Sequence, residues 1–220
     1  MFTSRRIATM GGDKFRDEHS LTFDGSDDYI SAGDITIVDG LDDFSLGFWV
    51  KYLDGGSQSF IDKGGYAGSG TAFGGYYTED TDAGGGNIGR WRFSIDDGLY
   101  FYYGNAKQYL PQNQWHHIVV TYSNTNDRTF FYFNGRKITP TTAVGTYKAV
   151  PSTTHEIKIG VNGSSYGNQS VSEAFIYNKE LSPSEARTLY NGREPYNHKE
   201  GIASGNLKTW WRMGDGKLDT

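Results

Sequence analysis

Short runs that alternate apolar with polar residues, closed by Asp-Gly and Asn-Gly pairs, constrain this chain more than any other feature. Phe44, Leu46, Phe48 and Val50 share one face of a strand, with Ser45, Gly47 and Trp49 opposite. Trp91, Phe93 and Ile95 alternate with Arg90, Arg92 and Ser94. Leu99, Phe101 and Tyr103 alternate with Tyr100 and Tyr102, and Asp96-Asp97-Gly98 between the two runs reads as a hairpin turn. Ile118 and Val120 line one face of a further strand. Phe131 and Phe133 follow, closed by Asn134-Gly135, a second strong hairpin signal. Ile157, Ile159 and Val161 form another alternating run, and Phe175 with Tyr177 form the last. Repeated period-two segments with Gly-rich turns predict an all-β domain.

One helix interrupts the pattern, over Pro183–Tyr190. Ser182 is placed as N-cap, Pro183 occupies the first helical position, and Glu185 completes a capping box. Asn191-Gly192 supplies a left-handed stop, and Ala186 and Leu189 face the sheet.

Composition narrows the function classes. The 220 residues include no cysteine, which excludes disulfides, thiolate metal sites and a cysteine nucleophile. The 30 Gly suit turns, and 16 Tyr, 13 Phe and 5 Trp bring enough apolar area to argue for a packed core. Net charge is −5, yet residues 24–62 alone carry −8, with nine Asp against Lys51. No basic stripe is present to neutralise phosphates, so nucleic acid is not an expected partner. No apolar run is long enough for membrane insertion. The Met1–Met10 stretch lacks the apolar core of a signal peptide. The expectation is synthesis in a cytoplasm, with release by a route such as viral lysis.

Residues 1–19 are polar and aperiodic and read as an N-terminal arm, residues 20–195 as the domain, and residues 196–220 as a C-terminal tail. Residues 64–89 are a Gly-, Ser-, Thr- and Tyr-rich stretch read as a long loop. Two adjacent tryptophans, Trp210 and Trp211, are costly to expose and predict packing against the domain or a neighbour.

Three segments carry a family resemblance. Trp115–Tyr122 followed by Phe131–Arg136 resembles the central strand pair of laminin-G-like, concanavalin-A-like domains. Leu21–Ile30 resembles their first strand. Ile159–Gly163, Glu173–Asn178, Leu181-Ser182 and Leu189–Gly192 resemble their closing strand and helix. The resemblance implies a two-sheet antiparallel β-sandwich, a jelly roll with one short C-terminal helix. Such domains occur in glycan-binding modules, adhesion domains and bacteriophage virion proteins. A short N-terminal arm, together with a segment similar to Trp211–Asp215, resembles phage structural proteins in particular. One position departs from the pattern: Ser172 stands where the family often has Asp before the Glu.

Candidate chemistry follows. Asp24, Asp27 and Asp28 lie in one turn, where calcium could find carboxylate and carbonyl oxygens. Under the family topology Glu173 would join them from the last strand. The alternative is a turn in which Asp24 caps backbone amides and the others face water. Sugars stack on aromatic faces and bond to amides, which marks Tyr66, Tyr76, Tyr77 and Asn87 in the long loop. Asn162, Tyr166 and Asn168 mark a second loop between the last strands. Asn162-Gly-Ser164 and Asn168-Gln-Ser170 also match glycosylation acceptors. Related jelly rolls that cleave β-glucans carry Glu-x-Asp-x-x-Glu on one strand, a run this sequence lacks. The nearest acidic cluster, Glu79-Asp80-Thr81-Asp82, sits in the Gly-rich stretch. His116 and His117 are adjacent on a strand and so face opposite ways, which predicts packing rather than convergence on a metal.

These readings lead to a non-enzymatic virion structural or decoration protein that displays a jelly roll and binds glycans on a host surface. Expected partners are capsid or tail proteins and further copies of the chain, with attachment through Arg5, Arg6, Trp210 and Trp211. The alternatives are a free glycan-binding module or adhesin, outside the cell, and a glycoside hydrolase or lyase.

Overall fold

The computed structural model describes residues 19–53, 58–64, 71–81, 87–96, 98–103 and 111–214. Among them the chain runs β1 (Leu21–Asp24), β2 (Ile30–Ser31), β3 (Asp43–Tyr52), β4 (Gln58–Lys63), β5 (Phe73–Thr81), β6 (Asn87–Ile95), β7 (Leu99–Tyr103) and β8 (Trp115–Ser123). It continues with β9 (Arg128–Phe133), β10 (Arg136–Ile138), β11 (Thr142–Val144), β12 (Ile157–Ile159), β13 (Val161–Asn162), β14 (Ser165–Tyr166) and β15 (Asn168–Tyr177). Helix α1 (Pro183–Tyr190) and β16 (Leu207–Trp211) complete it.

Two antiparallel sheets face each other. The first has the order β1-β15-β3-β8-β9-β10, with β16 also on β15. The second has the order β11-β7-β6-β5-β4-β12-β2. The strand alternation read from sequence sets the core. Phe44, Leu46, Phe48, Val50 and Tyr52 of β3 are buried against Phe60, Phe73 and Phe93 of the second sheet. The ring of Phe60 stacks on Trp91 at 4.7 Å and on Phe48 at 5.0 Å, an aromatic column through the sandwich. Both hairpins form where expected: β6 meets β7 at Ile95↔Leu99, and β9 meets β10 at Phe133↔Arg136. Asn134 and Gly135 both take positive φ (49° and 75°), as a tight primed turn requires.

The helix occupies the expected span. Ser182 Oγ accepts from Glu185 N at 3.3 Å, and Glu185 Oε2 accepts from Ser182 N at 2.8 Å. Asn191 closes it in the left-handed region.

A second apolar cluster covers the outer face of the first sheet. Val119, Tyr132, Phe175 and Tyr177 pack there against Leu181, Ala186 and Leu189. Trp49, on the face opposite the core, lies 5.8 Å from the Tyr190 ring and 4.9 Å from His117. Gly47 lets this double-sided sheet close. A Cβ there would come within 2.4 Å of the Phe175 ring and 2.6 Å of the Ile118 carbonyl.

Two expectations change. Among the described residues the Gly-rich stretch is largely strand, since β5 and β6 pair from Phe73↔Ile95 to Thr81↔Asn87. Glycine and acidic residues are poor strand formers, so local propensity pointed to a loop, but pairing on both sides overrides it. Glu79, Asp80 and Thr81 accordingly belong to β5, while Asp82 lies outside the described residues. The segment read as a tail returns to the sheet as β16, paired with β15 from Ala174↔Trp211 to Tyr177↔Leu207.

Candidate functional site

The start and the middle of β15 build two different places. At its start, Asn168 pairs with Asp24 of β1, which brings the acidic turn to the rim of the sandwich. The side-chain oxygens of Asp24, Asp27 and Asp28 lie within 4.8 Å of one another, all exposed. Asp24 Oδ1 accepts from Ser26 N at 2.7 Å, and Asp28 Oδ2 accepts from Asp24 N at 3.2 Å. Asp24 thus organises the turn in the way sequence chemistry expects, and the three carboxylates still face solvent. Tyr29 follows, exposed at 45 %. Its ring lies 6.4 Å from that of Tyr166 at 47°. Lys158 Nζ sits 5.2 Å from the Tyr29 ring and also lines a polar cleft of about 380 Å³ with Asp62, His155 and Glu156. Asn162, paired with Ser165 in the β13–β14 hairpin, is buried, and Asn168 is half-buried.

Glu173 does not join this group. It lies five residues beyond Asn168, roughly 16 Å along the strand at ~3.3 Å per residue. The acidic turn therefore forms from three carboxylates of one loop. Tyr77 is also not at the rim. It is 2 % exposed and packs on Tyr52 and Trp91 in the core, because β5 turns that side inward. Tyr66 lies outside the described residues, as do the side chains of Tyr76 and Asn87. Arg5 and Arg6 lie outside them too. Trp210 and Trp211 sit on alternate faces of β16, Trp210 against the outer cluster and Trp211 against the inter-sheet core.

At its middle β15 carries a bulge. Ser172 opposes Trp49 and Phe175 opposes Gly47, three residues of advance against two. Glu173 takes φ 52°, a left-handed conformation that is strained for a side chain of this size. The bulge lies between the stretches of β15 paired by β1 and by β16. Its carboxylate is 1 % exposed. Glu173 Oε2 accepts from Trp210 Nε1 at 2.7 Å, and Arg212 Nε stands 3.8 Å from Oε1. His198 Nε2 is 4.0 Å from Oε2, while its Nδ1 is 2.7 Å from Tyr177 Oη. Burial pushes His198 well below its ordinary pKa, so the imidazole is neutral beside the carboxylate.

Beside the buried Glu173 lies a cavity of about 300 Å³ lined by Trp49, Trp115, Ser172, His19 and Arg193. Ser172 Oγ donates to His19 O at 2.9 Å, and Arg193 Nε donates to Tyr190 Oη at 3.1 Å. Trp115 is 39 % exposed with Lys51 Nζ 5.5 Å from its ring centroid. Sequence reasoning did not mark Tyr29, Trp49 or Trp115 as site residues. A signal existed for the tryptophans, since alternation puts Trp49 and Trp115 off the core face. The histidine pair divides as alternation implies. His116 reaches Pro111 O at 3.0 Å, whereas His117 packs on Trp49, and burial lowers its pKa to about 3.

Residues 24–187 match the family described as the Concanavalin A-like lectin/glucanases superfamily. The chain belongs to this family. Solved structures share its fold. A native heptameric SAP-like pentraxin from Limulus polyphemus aligns with a TM-score of 0.55 at 12% identity, over 86% of this chain and 76% of that one. A Trypanosoma rangeli sialidase in complex with sialic acid aligns at 0.54 and 16% identity, over 80% of this chain but 28% of the sialidase. The HCR/D F1240A mutant aligns at 0.58 and 15% identity, over 80% of this chain and 43% of that one. No curated protein matches the sequence. Among the described residues no helix is long and apolar enough to cross a membrane.

Proposed function

We propose that this chain is a non-enzymatic glycan-binding display domain that uses the rim around Asp24–Tyr29 and Tyr166. The observation that carries the reading is the convergence of two tilted tyrosine rings and three exposed carboxylates beside a polar cleft. A sugar presents an apolar C–H face to a ring and hydroxyls to carboxylates or a bound cation. Calcium held by Asp24, Asp27 and Asp28 would fix the turn and offer open coordination positions to hydroxyls. Asn162 and Asn168 act from behind as positioning groups rather than as exposed sugar contacts.

The test is a glycan array with the full chain, repeated for Tyr166→Ala and with chelator present. Saturable binding that falls in both conditions is expected. Unchanged binding by Tyr166→Ala would place the sugar elsewhere, and turnover of a polysaccharide panel would overturn the non-enzymatic reading.

We further propose that the domain is carried on a phage particle. The support is the sequence resemblance of the arm and of Trp211–Asp215 to phage structural proteins. With Trp210 and Trp211 committed to β16, residues 1–19 are the segment assigned to attachment. Deleting them should release the domain from particles while leaving glycan binding intact. Retention on particles would refute the arm's role.

A further inference from the structure

We infer that Lys63 and Asp39 join spontaneously through a side-chain amide, an isopeptide bond that staples the strap from Asp34 to Asp39 onto β4. The inference goes beyond the glycan-binding reading and depends on none of its residues. Lys63 ends β4 and is fully buried, as are its register partners Phe73 and Ile157. Its ammonium meets three acceptors: Asp39 Oδ1 at 2.7 Å, Asp34 Oδ1 at 2.9 Å and Ile35 O at 3.1 Å. An ammonium has three hydrogens, one for each acceptor. When the hydrogen facing Asp39 passes to that carboxylate, the other two stay on Asp34 and Ile35. The lone pair left behind then points at the Asp39 carboxyl group. Among apolar neighbours that transfer costs less than in water, since it turns an ion pair into two neutral groups. Reacting atoms about 3–3.5 Å apart need little further approach, and the 2.7 Å contact puts the carboxyl carbon in or just beyond that range. Backbone bonds hold Asp39 in place, with Asp39 N donating to Thr36 O at 3.0 Å and Gly40 N to Val150 O at 2.9 Å.

The step balances within these three side chains. The Lys63 Nζ lone pair forms the N–C bond to Asp39 Cγ, and the C=O π pair moves onto oxygen. Asp34 takes a proton from Nζ and passes it to the Asp39 hydroxyl. The carbonyl re-forms as the C–OH bond breaks, and one water leaves. No oxidant, reductant or further reactant enters. Exposure divides the two carboxylates: the Asp39 side chain is 13 % exposed and the Asp34 side chain 34 %. The more enclosed one is the electrophile, and the more solvated one carries the proton. Both line a cleft of about 550 Å³, which gives the water a way out. The product closes a separation of 24 residues in a chain that has no cysteine for a disulfide. It also pins Val38, the buried residue of the strap, over the core.

The intact mass of the full chain, measured fresh and after prolonged incubation at neutral pH, tests this. The expected mass is one water below that of the sequence. Asp39 precedes Gly40, and an Asp-Gly pair can also lose water to a succinimide, so fragment spectra must place the loss. The amide gives a branched tryptic peptide uncut at Lys63. A succinimide leaves Lys63 cleavable and is opened by hydroxylamine. Asp34→Ala keeps both reacting groups and should slow the loss about a hundredfold or more. Lys63→Arg keeps the charge, should lose no water, and should melt about 10 °C lower. The mass of the unaltered chain decides the matter whether or not either variant folds. A full sequence mass at both times, a water loss that does not link Asp39 to Lys63, or an undiminished rate in folded Asp34→Ala would each overturn the inference.

Discussion

The start of β15 and its central bulge use the same carboxylate chemistry in opposite ways. At the rim, Asp24, Asp27 and Asp28 come from one short loop and face water, and Asp24 and Asp28 accept from backbone amides of the same turn. At the bulge, one carboxylate is buried among groups from distant segments, namely Trp210, Arg212 and His198. Exposed carboxylates contribute little to folding and stay available to a ligand. A buried one is held by partners that must all be in place, so its loss is felt throughout the sheet. The comparison teaches that exposure, not residue type, decides whether an acidic group here serves binding or architecture.

The largest expected effect comes from Glu173→Ala. It takes the carboxylate away from the buried Arg212 guanidinium and leaves the Trp210 indole N–H without its acceptor, and should cost about 3–5 kcal/mol by denaturant titration. A loss below about 1 kcal/mol would mean that the bulge behaves like the rim. Glu173→Gln keeps an acceptor for Trp210 and should fall between.

Acid should separate the rim from the bulge next. Burial holds His117 near 3 and His198 well below its ordinary value, so both are neutral when folded. The unfolded chain takes up these protons below about pH 6.5. Stability from each is therefore complete above that pH and is lost as pH falls, by about 1.4 kcal/mol per unit per histidine. Urea midpoints measured from pH 7.5 to 5.5 should decline, and His117→Gln should flatten the decline. An unchanged slope would show that His117 is not held neutral.

Chelation tests the rim alone. If calcium occupies the Asp24–Asp28 turn, chelator should lower the melting temperature by about 5 °C, the scale of a ligand held well above its Kd. The same shift should vanish in an Asp27→Ala, Asp28→Ala double variant. The smallest effect is Asp28→Ala measured without calcium, which should stay within about 0.5 kcal/mol.

Much of the fold could be read along the chain because its signals are local. The alternation at Phe44–Val50, the turns at Asp96–Gly98 and Asn134-Gly135, and the capping box at Ser182 and Glu185 each lie within a few residues. The acidic turn was legible for the same reason. Glycine-rich β5 was not, because its strand state depends on β4 and β6 on either side. Tyr77 was misplaced with it. A tyrosine in such a run carries no mark that tells core from rim.

The sequence by itself determined the alternating strands, the helix with both its ends, the all-β class and the three-carboxylate turn. Each depends on period, turn chemistry or capping over short separations. Only the tertiary structure decided that β16 completes the sheet, that Glu173 sits at a bulge away from Asp24, and that Tyr29 meets Tyr166. Those outcomes depend on register between segments far apart in the chain. A one-residue slip would turn every side chain to the other face, and no local pattern records which slip was taken.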